Sequence, residues 1–164
     1  MRLGLAGGEA SVLTGLSVLD HLLELLARYA GFELSLEVEP GDPEAQVRAA
    51  ARALGSALAG PLRAEGARGF GSAFVPADEA LAHVALDISD RPLLVSNVDL
   101  TAERVGGLGH DLTARFLREL AESAGLTLHV RLIEGRDTQH VLDAIFKALG
   151  VALARATRQR GEGQ

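Results

Sequence analysis

The sequence predicts an α+β fold built from a duplicated half-domain, and three observations predict it. Apolar periods of two residues and of three to four residues alternate along the chain, the first marking strands and the second helices. The chain also matches itself. Ala30-Gly31-Phe32-Glu33-Leu34 lies over Ala124-Gly125-Leu126-Thr127-Leu128 at an offset of 94, and the register continues to Gly41 over Gly135. One extra residue in the second turn moves the offset to 95, placing Ala53-Leu54-Gly55 over Ala148-Leu149-Gly150 and Ala57-Leu58 over Ala152-Leu153. Finally, 164 residues suit one domain with a core of its own. Two repeats, about residues 1–60 and 70–156, are followed by a polar tail at 157–164. Such a duplication predicts two antiparallel sheets with helices packed between or against them about a pseudo-two-fold axis.

The elements follow in order. Arg2 to Ala6 alternates, is broken by Gly7-Gly8, and is expected to return at Ser11 to Leu13 as a hairpin. Thr14-Gly15 leads into an apolar helix from about Ser17 to Tyr29, stopped near Gly31. Phe32 to Val38 alternates as a strand. Pro40-Gly41-Asp42-Pro43 forces a turn before a helix from Pro43 or Glu44 to about Ala59, and Pro61 to Gly71 reads as the linker between halves. Gly71 to Val75, Ala80 to Asp87 and Leu93 to Asn97 read as strands separated by turns, and Gly106 to Gly109 as a loop. A helix from about Asp111 to Ser123, a strand from Leu126 to Ile133 and a helix from Thr138 onward complete the second half.

Composition excludes several classes. A formal charge of −6 without a Lys/Arg run argues against nucleic acid as the main partner, and 4% aromatic residues argue against a base-stacking platform. With no cysteine, only His and carboxylates remain as metal ligands, a composition that fits the cytoplasm. No apolar run reaches the roughly 18 residues needed to span a bilayer, so no membrane partner is expected.

On the last helix His140, Asp143 and Lys147 fall at i, i+3 and i+7, within roughly 60° of one another. His129 lies on the preceding strand. Two readings stand beside each other: a metal and anion site, or an Asp143–Lys147 ion pair on a solvated face with His140 incidental. By the repeat, Gln139, His140 and Asp143 overlie Glu44, Ala45 and Arg48.

Five segments in order carry a resemblance: Thr14-Gly15 through Asp20-His21-Leu22-Leu23, Pro76-Ala77-Asp78-Glu79-Ala80-Leu81, Asp87-Ile88-Ser89-Asp90-Arg91-Pro92, Thr127-Leu128-His129, and Gly135 through Phe146-Lys147-Ala148. They resemble the imidazoleglycerol-phosphate dehydratase family, hydro-lyases of histidine biosynthesis. The resemblance implies ferredoxin-like, or ribosomal protein S5 domain 2-like, halves. It implies a homo-oligomer assembled as an octahedral shell of 24 subunits from trimers, with active sites between subunits. It also implies two manganese ions held by two HHxxE helix motifs and two single histidines, with the metals stabilising charge on the substrate's imidazole.

Carried over by position, His21 and His129 match the single histidines, and Gln139-His140-Val141-Leu142-Asp143 matches the second HHxxE with one histidine lost and the carboxylate shortened. The first HHxxE is Glu44-Ala45-Gln46-Val47-Arg48, with no histidine and a permanent cation for the carboxylate. For the phosphate of a small phosphorylated imidazole, Arg91 and Lys147 match, whereas Gly69 stands where the family has Arg. The family's N-terminal strand bearing an acidic residue has no counterpart, because Met1 to Leu5 aligns with the strand after it. The expected reading is therefore a degenerate paralogue that keeps fold and assembly without the two-manganese site, Arg48 pairing with Asp143 or Glu44 instead. The alternative is an active hydro-lyase with a reduced metal site at His21, His129, His140 and Asp143, which would require manganese. His83 and His110 match no ligand and are expected as surface or strand residues, and Asp78 and Glu79 as residues that orient strands or cap the adjacent turn.

Overall fold

A computed structural model of the chain describes residues 1–98, 104–105 and 108–159. The first half contributes β1 (Arg2–Gly4), β2 (Ala10–Leu13), α1 (Ser17–Ala30), β3 (Glu33–Glu37) and α2 (Pro43–Leu62). The second half contributes β4 (Phe70–Ala77), β5 (Ala80–Ile88), β6 (Leu93–Ser96), the short β7 (Arg104–Val105) and β8 (Leu108–Gly109), α3 (His110–Ala124), β9 (Leu126–Glu134) and α4 (Thr138–Thr157). One sheet has the order β1-β3-β2, a second β4-β5-β9-β6, and β7 pairs with β8 in a two-stranded ribbon. The helices pack against the sheets and across to one another, α1 on α4 and α2 on α3.

The repeat is visible in the details that shape each half. Gly31 and Gly125 end α1 and α3 at φ of 72° and 73°, in the left-handed region that costs glycine nothing. Asp42 and Asp137 begin α2 and α4 by accepting hydrogen bonds from the backbone N–H of Ala45 and His140, at 2.8 and 3.0 Å. Gly55 and Gly150 let the halves close on each other. A Cβ on Gly55 would lie 2.5 Å from the Ser123 Cβ on α3, and one on Gly150 would lie 2.3 Å from the Leu26 carbonyl oxygen on α1. Around these contacts Leu22, Leu26, Leu54, Phe116, Leu120, Phe146 and Leu149 are fully buried. Each such side chain contributes about 1.5–3 kcal/mol by leaving water.

The structure corrects several expectations. The sheets are mixed: β2 runs parallel to β3, and β6 parallel to β9. Nor do β1 and β2 form a hairpin. The helix α1 carries the chain back across the sheet, so β3 enters alongside β2 in the same direction and separates it from β1. Past Pro61, α2 runs on to Leu62, whose buried side chain fixes the last turn; the connection between halves is thus shorter than expected. Of the tail, Thr157 closes α4 and Gln159 bridges to Ala67. Residues 160–164 lie outside the described residues, as do 106–107 of the expected loop. Among the described residues no helix is long and apolar enough to cross a membrane.

Candidate active site

The segment before α1 sets where His21 points. The buried Thr14 donates both its backbone N–H and its hydroxyl to Asp20 Oδ1, at 2.8 and 2.6 Å, and its oxygen accepts from the N–H of Leu16 at 3.2 Å. Asp20 is thereby fixed in the first turn of α1, and the next residue, His21, emerges toward α4. There its Nε2 lies 3.0 Å from Asp143 Oδ1 across 122 residues of sequence. The same Oδ1 accepts from Gln139 Nε2 at 2.7 Å. No hydrogen bond reaches Asp143 Oδ2 among the described residues, which leaves that oxygen open for a ligand. One turn further along α4, the Lys147 ammonium sits 5.2 Å from the centre of the Tyr29 ring of α1.

His140 faces elsewhere. Glu79, in the turn between β4 and β5, accepts from the backbone N–H groups of Arg136 and Asp137 at 2.8 and 2.9 Å, and its other oxygen lies 2.5 Å from His140 Nδ1. Those two backbone bonds, then the one to His140, lower the Glu79 carboxyl to about 2. The hydrogen bond to Glu79 in turn raises the His140 pKa above its ordinary value, helped by the charges of Asp137, Glu79 and Asp78. Asp78 Oδ2 is 3.4 Å from His140 Nε2. Glu79 thus pins the start of α4 to the β4–β5 turn.

The expected convergence of His129, His140, Asp143 and Lys147 is not found within one chain. Leu128 and Val130 point into the core, so strand alternation puts His129 on the exposed outer face of the sheet, between Ala85 and Val95. Asp143 turns to α1 instead of pairing with Lys147. Arg91 stands exposed in the turn after β5, where its backbone N–H is held by Ser89 Oγ at 3.0 Å. His83 lies on β5 and stacks on Phe74 with ring centres 4.1 Å apart. The side chain of His110 lies outside the described residues.

The junction of α2 with α3, related to that of α1 with α4 by the repeat, is built from different chemistry. Arg48 Nη2 donates to Glu44 Oε1 at 3.0 Å, as expected for Glu44 but not for Asp143. The Arg115 guanidinium approaches the same oxygen at 3.4 Å, and Arg52 Nε donates to Glu119 Oε2 at 3.2 Å. Arg48 Nε, 3.5 Å from Glu119 Oε1, is attracted by charge but is not aligned for a hydrogen bond. Sequence reasoning missed Arg115 and Glu119, although the 94-residue offset sets Arg115 over His21 and would have found the first of them.

Three guanidinium groups against two carboxylates leave positive charge where the repeat would place a divalent ion, so the residues present do not fit a two-metal centre. They fit one ion better, at the other junction, where an imidazole nitrogen and a carboxylate with a free oxygen already meet. Among the described residues, no three His or carboxylate groups of a single chain are grouped to hold a metal.

Comparison with known proteins agrees with this scaffold. Residues 14–153 match the family model described as imidazoleglycerol-phosphate dehydratase. The imidazoleglycerol-phosphate dehydratase of Syntrophobacter fumaroxidans is 42% identical over 156 residues, covering 92% of this chain and 79% of that protein. That of Acetivibrio thermocellus is 38% identical over 157 residues, covering 93% and 80%. In structure, the chain is similar to imidazoleglycerol-phosphate dehydratase from Staphylococcus aureus, with a TM-score of 0.86, 31% identity, and coverage of 96% of this chain and 91% of that one. A Pyrococcus furiosus homologue in complex with (S)-C348 also superposes with a TM-score of 0.86, at 29% identity, covering 98% and 88%.

Proposed function

Because this chain belongs to the imidazoleglycerol-phosphate dehydratase family, we propose that it is a hydro-lyase that removes water from imidazoleglycerol phosphate at a reduced site. The observation that carries this reading is the His21–Asp143 pair, 3.0 Å apart, with one carboxylate oxygen left open. A single divalent ion, manganese by family, would be held by His21 and Asp143, and when bound it supplies Lewis-acid stabilisation of negative charge on the imidazole. Gln139 orients Asp143 through its amide. Lys147 and Arg91 supply positive charge for the phosphate, and His129 and His140 are the remaining bases able to carry a proton. Dehydration breaks one C–H and one C–O bond and releases water. Because His129 lies on the outer face of the sheet and His140 is held by Glu79 and Asp78, neither histidine contacting His21 or Asp143 among the described residues, the working site is that of a homo-oligomer in which neighbouring copies bring these surfaces together. The family's 24-subunit shell is the proposed form, in the cytoplasm.

A second reading is favoured by Arg48, whose cation sits among Glu44, Glu119 and Arg115: a paralogue that keeps fold and assembly without catalysis. Metal content after manganese loading, measured together with turnover of imidazoleglycerol phosphate, separates the two. The hydro-lyase reading expects bound manganese and product, with His21→Ala lowering turnover at least about a hundredfold. A loaded oligomer that yields no product sinks it and leaves the paralogue.

A further inference from the structure

The last turn of α4 and the entry to β4 are zipped together by backbone bonds. The N–H of Gly69 donates to the Ala156 carbonyl at 2.8 Å, and the N–H of Arg68 to the Arg158 carbonyl at 3.0 Å. Gly71 permits the approach, since a Cβ there would lie 2.3 Å from the Ala152 oxygen. The result is a concave site of about 370 Å³ lined by Arg68, Phe70, Gly71, Ser72, Arg155 and Arg158. Arg155 is braced by donating to the Ser72 carbonyl at 2.6 Å, and the Arg68 guanidinium is seated 5.1 Å from the centre of the Phe70 ring.

Among the described residues, this corner gathers three arginines without counter-charge. The chain carries 22 acidic residues against 16 basic ones, and Arg2, Arg48, Arg52 and Arg115 each meet a carboxylate. Among the described residues no Asp or Glu lines the site, and no carboxylate pairs with Arg68, Arg155 or Arg158. Three like charges held by rigid backbone in one concavity focus a positive field, and the planar fork of each guanidinium matches the oxygens of a tetrahedral oxyanion. The volume suits a small molecule. Neither Arg91 nor Lys147 lines it, so it is separate from the residues expected to take the substrate's phosphate.

We infer that the Arg68–Arg155–Arg158 corner is a second anion site, which binds the phosphate group of a small molecule or free phosphate. The inference does not rest on the dehydratase reading. Calorimetric titration of the full chain with inorganic phosphate and with glycerol 3-phosphate tests it, against Arg68→Gln/Arg158→Gln and, as a control, Arg2→Gln, an exposed arginine outside both sites. Neither substitution at Arg68 or Arg158 removes the Arg155 brace, and thermal melts verify folding; should the double variant fail to fold, Arg158→Gln alone takes its place. Saturable binding that weakens with salt, is unchanged in Arg2→Gln and falls at least about tenfold in the double variant is expected. Tighter binding of glycerol 3-phosphate than of phosphate would identify a phosphorylated small molecule, and equal binding the free ion. No saturable binding by the unmodified chain, or unchanged affinity in the folded variant, overturns the inference.

Discussion

At the junction of α1 with α4 a histidine meets a carboxylate, and at the repeat-related junction of α2 with α3 three arginines meet two glutamates. The packing beneath them is alike. Gly150 and Gly55 occupy equivalent positions, and each brings a helix of one half against the backbone of the other. Apolar packing and polar decoration have therefore diverged independently: the duplicated scaffold is held by the glycine contacts, while only one junction keeps a histidine beside a carboxylate and the other sets its carboxylates against arginines. The outer faces of the sheets differ as well. On β3 the outward residues are Glu33, Ser35 and Glu37, whereas the second sheet exposes Phe70, Phe74, Leu93, Val95 and Ile133.

If packing is the shared part, its loss should be the largest effect and should strike both junctions. Gly150→Ala and Gly55→Ala are each expected to destabilise the chain by about 1–3 kcal/mol or more in urea denaturation, because the methyl meets backbone that cannot rotate away. Gly150→Ala should be the worse, its nearest obstacle being a carbonyl oxygen of α1. A neutral result at either glycine would break the equivalence of the two junctions.

The polar layers should respond unequally. Glu119 is the more enclosed partner, with 13% of its side chain exposed, and it answers both Arg48 and Arg52. Glu119→Ala is expected to cost about 1–2 kcal/mol, since it removes the acceptor of Arg52 and the charge facing Arg48 Nε. Asp143→Asn keeps the shape and one acceptor oxygen beside His21 and should cost less than about 1 kcal/mol in the metal-free chain. Urea midpoints of the two variants compare them directly. A larger loss from Asp143→Asn would mean that the α1–α4 pair is part of the scaffold and not a place kept open for a ligand.

Much of this was legible before the structure. The offset of 94 to 95 residues located Gly31 and Gly125, and Gly55 and Gly150, and with the alternating periods gave the α+β class, because turn chemistry acts over a few residues and leaves a local trace. Strand partnership was not legible in that way. The alternation of Arg2 to Ala6 and Ser11 to Leu13 marks strands, but it carries no information about β3 entering between them. The candidate site was half legible for a related reason. Residue types at His21, His129, His140 and Asp143 were plain, yet angular spacing on α4 could not tell that Asp143 would find α1 while His140 found the β4–β5 turn. Those choices are made by partners distant in sequence.

The entries to α2 and α4 offer the finest form of the comparison. Both helices are capped by an aspartate, but α4 alone adds Glu79 and His140, and the position equivalent to His140 is Ala45. Glu79 is lowered from an ordinary 4.5 to about 2, so its contribution is fully present above pH 4.5 and is lost as pH falls through about 2. His140 is raised, so its contribution is complete below its ordinary 6.5 and is lost as pH rises through its higher folded value. The α4 entry is therefore tightest in the window between, about pH 5 to 6.5, whereas the Asp42 cap of α2 has no histidine to lose at high pH. Histidine and amide resonances followed by NMR across pH 2 to 9 should show His140 titrating above 6.5, with Arg136 and Asp137 amides moving at both limits. Glu79→Gln should return His140 toward its ordinary value and abolish the acid-side movement of those two amides. Because both side chains are exposed, the accompanying change in melting temperature should be the smallest of those described. A His140 that titrates unchanged in Glu79→Gln would show that the two helix entries are equivalent after all.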